Sequence, residues 1–413
     1  MLRRYVFLLL MLISAVTPSY AASVNGESRT YVQARETVGG EKIAPLYEYL
    51  DVNIEDMSGE RLSFHAGGWF RVDLADDSGD KRSEGDLRYG YLNFRSDDAN
   101  ATVDAGRILV HDGIASELID GIHAEADLKA GFGVSAFAGD ILESGGELVY
   151  GGRVSHKAEK LYTIGLSYLH GKNDKTGDRE EFGIDLSLRP ANKVSILGQS
   201  AYNAETSGWM EHSYYLNVGG LGGLKLRGEI SLIDYANYFQ AASISAFAPK
   251  TGSGSGIDPN ETLLTTGVEL EYPVNENVTV SVDLKNYEYD HAGTVNRYGA
   301  KFAYVKDSDV LAGASAHRMS GYEKSNRYNE LRAYCFSKSG KFDKTIDALA
   351  VVYDENVSGV KTAYSLSAAA GYALSEKAKV SADFEYSHNP YYDREVKGFL
   401  KFTYKFGTNP WGA

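Results

Sequence analysis

The sequence predicts an all-β protein, a closed transmembrane antiparallel barrel of about twenty strands, with 18–22 as the range its spacing allows. Three observations lead there. Apolar and polar residues alternate with a period of two over segments of about ten residues, the length a tilted strand needs to cross a bilayer. The chain carries 30 tyrosines, 16 phenylalanines and 44 glycines against 8 prolines, a mixture rich in strand formers and interfacial aromatics. Beyond the N-terminal segment no run of about 18 apolar residues occurs, so helical spans are excluded. Closure is then required, because lipid offers no partner to an open strand edge.

Residues 1–21 are expected to be a cleaved signal peptide. Arg3 and Arg4 form its basic start, Tyr5–Val16 its apolar centre, and Ser19-Tyr20-Ala21 a small-x-small cleavage site. Ala22 rather than a cysteine follows, which argues against a lipid anchor there. The formal net charge of −14 becomes −16 (−14 − 2) when the two arginines leave, so nucleic acid is not an expected partner. Residues 22–60 are the least regular. Leu50, Val52 and Ile54 alternate with Tyr49, Asp51 and Asn53, but Pro45 and Glu55-Asp56 interrupt them. This segment is assigned to a lead ahead of the barrel or a partial lumen plug, with two further strands as the alternative.

Residues 61–406 are expected to form the barrel. The expected strands are 61–75, 86–95, 101–110, 121–129, 132–139, 147–157, 161–170, 181–189, 193–203 and 211–219, then 223–234, 263–272, 278–289, 295–305, 309–319, 328–338, 342–354, 361–373, 377–388 and 396–406. Proline cannot donate to a ladder, and Pro190, Pro249, Pro259, Pro273 and Pro390 all fall between these segments. Short connections such as Ala130-Gly131 and Ser339–Lys341 tend to alternate with longer ones such as 76–85, 111–120 and 235–262, as they do in membrane barrels with tight turns at one end. Residues 407–413 form a C-terminal tail.

The polar faces are expected to line a wet lumen. Glu125, Asp127, Lys129, Asp185, Arg189, Lys225, Arg227, Glu229, Asp283, Lys285, Asp383 and Glu385 are the candidate pore-lining residues. A Lys or Arg turned to lipid at the midplane would cost about 2–4 kcal/mol, which sets the register of each strand. Rings of such side chains bias ions by charge. No catalytic constellation is present: the nine histidines are scattered, and neither a His-Glu-x-x-His nor a Gly-x-Ser-x-Gly motif occurs. No enzyme activity, cofactor or resident metal is expected. The acidic stretch Asp76-Asp77-Ser78-Gly79-Asp80 reads as a solvated loop, and the single cysteine, Cys335, as an inert lipid-facing residue. The insertion 235–262, apolar over Tyr235–Phe247 and glycine-rich after, either stays outside or folds in to narrow the barrel.

Two local features carry a resemblance. Gly106-Arg107 is followed by Asp112-Gly113 and then Asp120-Gly121. The closing strand, Leu400, Phe402, Tyr404 and Phe406, alternates aromatics in the manner of a barrel-assembly signal, although Gly407–Ala413 follow where such proteins typically end. The chain thus resembles the bacterial outer-membrane porin class. The resemblance implies an outer-membrane location with tight periplasmic turns, contact with lipid and lipopolysaccharide, passive diffusion of small hydrophilic solutes or ions, and a monomeric or homotrimeric state. The alternative resemblance is to the barrel sheath of a porin–cytochrome electron conduit, in which a multihaem cytochrome partner would bring all the haem.

Overall fold

The computed structural model describes residues 23–36, 42–57, 61–75, 82–142, 147–158, 160–172, 178–238, 260–307 and 309–407. Twenty-two strands run through them: β1 Ser23–Glu36, β2 Pro45–Glu55, β3 Leu62–Asp73, β4 Ser83–Arg95, β5 Ala101–Asp112, β6 Ala115–Asp127, β7 Phe132–Ile141, β8 Leu148–Ala158, β9 Tyr162–Lys172, β10 Arg179–Ala191 and β11 Val194–Asn203. They continue with β12 Gly208–Leu221, β13 Leu224–Asp234, β14 Thr262–Pro273, β15 Val278–Tyr289, β16 Gly293–Lys306, β17 Val310–Ser320, β18 Tyr328–Ser339, β19 Phe342–Val357, β20 Val360–Ala373, β21 Ala378–Asn389 and β22 Tyr392–Gly407. Each pairs antiparallel with its chain neighbour, and a two-residue bridge, Lys42–Ile43, extends the first hairpin onto Arg35 and Glu36. β22 returns to β1, from Asn25↔Gly407 to Ala34↔Gly398, and closes the cylinder.

The outer face is recognised by exposure of large apolar side chains. Leu166 (59%), Val154 (55%) and Leu400 (57%) stand bare, as do Phe302, Leu331 and Phe384. Register joins them into a continuous belt: Leu226 lies opposite Leu270, Leu270 opposite Val282, and Val282 opposite Ala300. No water-soluble protein carries an apolar surface of this extent, so the belt faces hydrocarbon. Cys335 is exposed on this face, opposite Ala312.

Residues 22–60 correct the sequence reading, because β1 and β2 are wall strands rather than a lead or plug. Their outer face explains why the pattern was faint. Gly26, Ser28, Thr30, Val32 and Ala34 are small or polar, and Glu48 on β2 shares that face with Phe70 on β3. Glu48 is accommodated by the hydroxyls of Ser28 and Thr30 on neighbouring β1, each donating at 2.6 Å. Replacing both by alanine strands the carboxylate, which should cost about 1–3 kcal/mol; the unfolding temperature on heat-modifiability gels should fall, and an unchanged temperature would refute the assignment.

Other boundaries shift for local reasons. Pro45 opens β2 and Pro273 ends β14, where no ladder donor is needed. Pro190 lies inside β10, at the register shift between Leu188 and Ala191. Lys129 leaves its expected strand for a 3₁₀ turn, Lys129–Gly131. The signal segment 1–21, the acidic stretch 76–80 and the tail beyond Gly407 lie outside the described residues.

Candidate functional site

The stretch 111–120, expected to be a loop, is the top of a hairpin with the two-residue tip Gly113-Ile114. Twelve residue pairs join β5 to β6, but only six join β4 to β5, from Gly90↔Arg107 to Arg95↔Thr102. Beyond Arg107 β5 therefore parts from β4, while β6 stays on β7 as far as Ile119↔Ile141 and only the end of the hairpin turns out of the wall. Gly106 lies at the departure point with φ of 135°, a region that favours glycine. Arg107 pins the fork: its Nε and Nη2 donate to Asp120 at 2.8 and 3.0 Å, and Nη1 donates to the Leu87 carbonyl at 2.6 Å.

The freed hairpin folds into the lumen and packs on β7–β10. Ile108, Val110, Ala115 and Ile119 meet Phe137, Val149 and Leu169 in an apolar cluster, with Ile119 and Val149 fully buried. The Ile114 amide donates to Ser167 Oγ at 3.3 Å. Its side chain covers Gly183, where a Cβ would fall 2.2 Å from Ile114 Cγ2. Asp112 accepts from Ser135 Oγ, placing the tip near the middle of the wall rather than at its rim.

Charges surround the tip. Arg153 forms a bidentate pair with Asp185 at 2.8 and 2.7 Å. A cavity of about 190 Å³ beneath the tip is lined by Asp112, Glu125, Asp127, Arg153, Ser135 and Ser155, among others. Nearer the rim Arg179 meets Glu117, Glu147 at 3.1 Å and Glu181 at 3.8 Å. Tyr238, in the described first residues of the long insertion, faces Glu211 and Glu181, and its burial raises the hydroxyl pKa. Most of that insertion, 239–259, lies outside the described residues, and with it the question of its folding inward.

Of the twelve expected lining residues, Glu125, Asp127 and Asp185 come together at this tip. Lys225, Arg227, Glu229, Asp283 and Lys285 belong to a second group on β13–β18. There Lys285 pairs with Glu229 at 2.6 Å, Lys225 with Glu271 at 2.7 Å, and Arg227 with Glu269 at 3.4 Å. Asp283 holds Arg297 at 3.0 Å and His317 at 2.9 Å. Lys129 and Arg189 lie away from both groups, at the end of the barrel that holds Ser23 and Gly407, and Asp383 and Glu385 lie on β21. Among the described residues no grouping of side chains suits a metal ion. Sequence reasoning missed Asp112, Ile114, Ser135, Arg153, Ser167 and Gly183. The Gly-Arg, Asp-Gly and Asp-Gly pairs were the signal, since they mark the fork, the tip and the return.

No family model matches the sequence, and no curated protein is significantly similar to it. Solved structures share the fold. The siderophore receptor PirA from Pseudomonas aeruginosa aligns over 93% of this chain and 80% of its own, at 13% identity and a TM-score of 0.60. A mutant of the ferric enterobactin receptor PfeA from the same organism aligns over 93% and 80%, at 8% identity and a TM-score of 0.61. P. aeruginosa OpdQ aligns more loosely, over 94% and 99%, at 11% identity and a TM-score of 0.46. With the closed wall and its hydrocarbon-facing belt, the fold is that of a bacterial outer-membrane β-barrel.

Proposed function

We propose that the chain is an outer-membrane channel for passive diffusion of small hydrophilic solutes or ions, narrowed by the β5–β6 hairpin. The observation that carries this reading is the hairpin itself, whose end turns into the lumen and lies on the inner faces of β7–β10 at mid-height. A barrel of this size is wider than its own side chains can fill and must be plugged or open. Among the described residues nothing acts as a globular plug, so the hairpin is the restricting element. Reading the end that holds Ser23 and Gly407 as periplasmic puts the long 235–261 connection outside.

The restriction is acidic: Asp112, Glu125, Asp127 and Asp185 face one guanidinium, Arg153. Such a ring favours cations. The test is planar-bilayer recording of the purified protein with KCl gradients and a series of neutral sugars. Discrete currents with a cation-selective reversal potential are expected; a protein that inserts and passes no current would sink the proposal. The inward hairpin also occupies space a sheathed cytochrome would need, which weighs against the conduit reading.

A further inference from the structure

The hairpin's departure leaves a flaw in the wall. β4 stays paired with β3 along its length, from Val72↔Ser83 to Leu62↔Phe94. Its other edge loses β5 above Gly90. Ser83–Tyr89 therefore presents an edge with no strand partner among the described residues, and Ser83–Arg88 are exposed. Side chains cap this edge at one residue: Leu87 accepts from Arg107 and donates its amide to Asp86 at 2.8 Å.

Hydrocarbon does not tolerate such an edge, since each unsatisfied backbone group costs several kcal/mol; irregular backbone survives at membrane depth only where it lines water or is covered by protein. The lips are mixed in character. Leu87 (43% exposed) stands on one side and Leu109 (66%) on the other, while His111 and Ser116 share Leu109's face of the hairpin. A gap with a wet backbone edge and apolar lips suits a molecule that is itself part polar and part apolar.

We propose that the gap between β4 and the hairpin is a lateral portal, through which amphipathic molecules with a single apolar tail pass between the lumen and the lipid leaflet on the hairpin's side. This goes beyond diffusion along the barrel axis and rests on the reading that the lumen conducts.

The test uses the full chain in liposomes with Cys335→Ser as background. A cysteine at Gly85, on the open edge, should react with a sulfonated, membrane-impermeant thiol reagent about tenfold faster than one at Leu92, which sits on the same strand and face opposite Ala105. Equal protection of both would overturn the portal, as would protection at 85 in cells but not in purified protein, which would mean that a partner strand covers the edge. Transfer is measured with a dodecyl chain on a sulfonated dye that does not cross protein-free bilayers. Gly85→Trp should slow its passage about fivefold or more while sucrose flux stays within about twofold, because the axial path is untouched. Unchanged dye passage, or equal loss of both fluxes, overturns the proposal. Sucrose flux without dye passage in the unsubstituted protein defeats the portal alone; loss of sucrose flux there defeats the channel reading.

Discussion

Gly183→Val is expected to raise single-channel conductance about twofold to fivefold, because a barrel of this width is held narrow only by what lies inside it. A Cβ at this position would sit 2.2 Å from Ile114 and 2.5 Å from Ser167 Oγ, so the tip and the new side chain cannot share the site. Dislodging the tip releases the hydrogen bond from the Ile114 amide to Ser167. The rest of the wall keeps its ladders, so folding should survive. The milder Gly183→Ala should give a smaller increase that Ile114→Ala reverses, since the second change removes the clashing methyl. Conductance that stays at the original level in Gly183→Val, with the barrel folded, would show that the hairpin does not set the bore.

Arg153→Ala is expected to increase the cation-to-anion permeability ratio about threefold or more, as charge rings govern ion bias. Four carboxylates and one guanidinium surround the tip, a local charge of −3 (−4 + 1), and the substitution makes it −4. Asp185 loses both of its short charge-assisted bonds, and the cost in stability should be about 1.5–3 kcal/mol. Asp185→Asn moves selectivity the other way, because it removes an acid and leaves the guanidinium. Reversal potentials in a tenfold KCl gradient check both signs; a shift toward anions in Arg153→Ala would contradict the placement of these groups in the conducting path.

Most of the wall was legible because a strand in a lipid-facing wall has one obligatory apolar face. Leu224, Leu226, Ile230 and Leu232 stand on that face as their alternation implied. The rule failed where its cause was absent. Across the β1–β2 ladder, Ser28 and Thr30 satisfy Glu48, so the outer face of β1 has little apolar signal to read. In the hairpin, Ile108-Leu109-Val110 and Leu118-Ile119 are apolar on both faces, because one face packs on the inner wall and the other no longer faces neighbouring strands. Consecutive apolar residues read as the end of an alternating strand, and so the restricting element was taken for a loop. Charged lining residues were visible singly, but their partners, such as Arg153 on β8 for Asp185 on β10, meet across Gly165 of the strand between and are fixed by the registers of two ladders.

The seam between β1 and β22 has a bearing on how the cylinder is made. Among the described residues every other ladder links neighbours in the chain and can form as soon as both have been synthesised, whereas Asn25 finds Gly407 only after the strands between them have emerged. That single long-range contact carries the loop-closure entropy of the entire fold. Completion of the cylinder should therefore be the slow, last event of biogenesis. A chain cut short by one strand would retain its local hairpins yet have no means of ending the sheet, and would persist as an open, aggregation-prone intermediate.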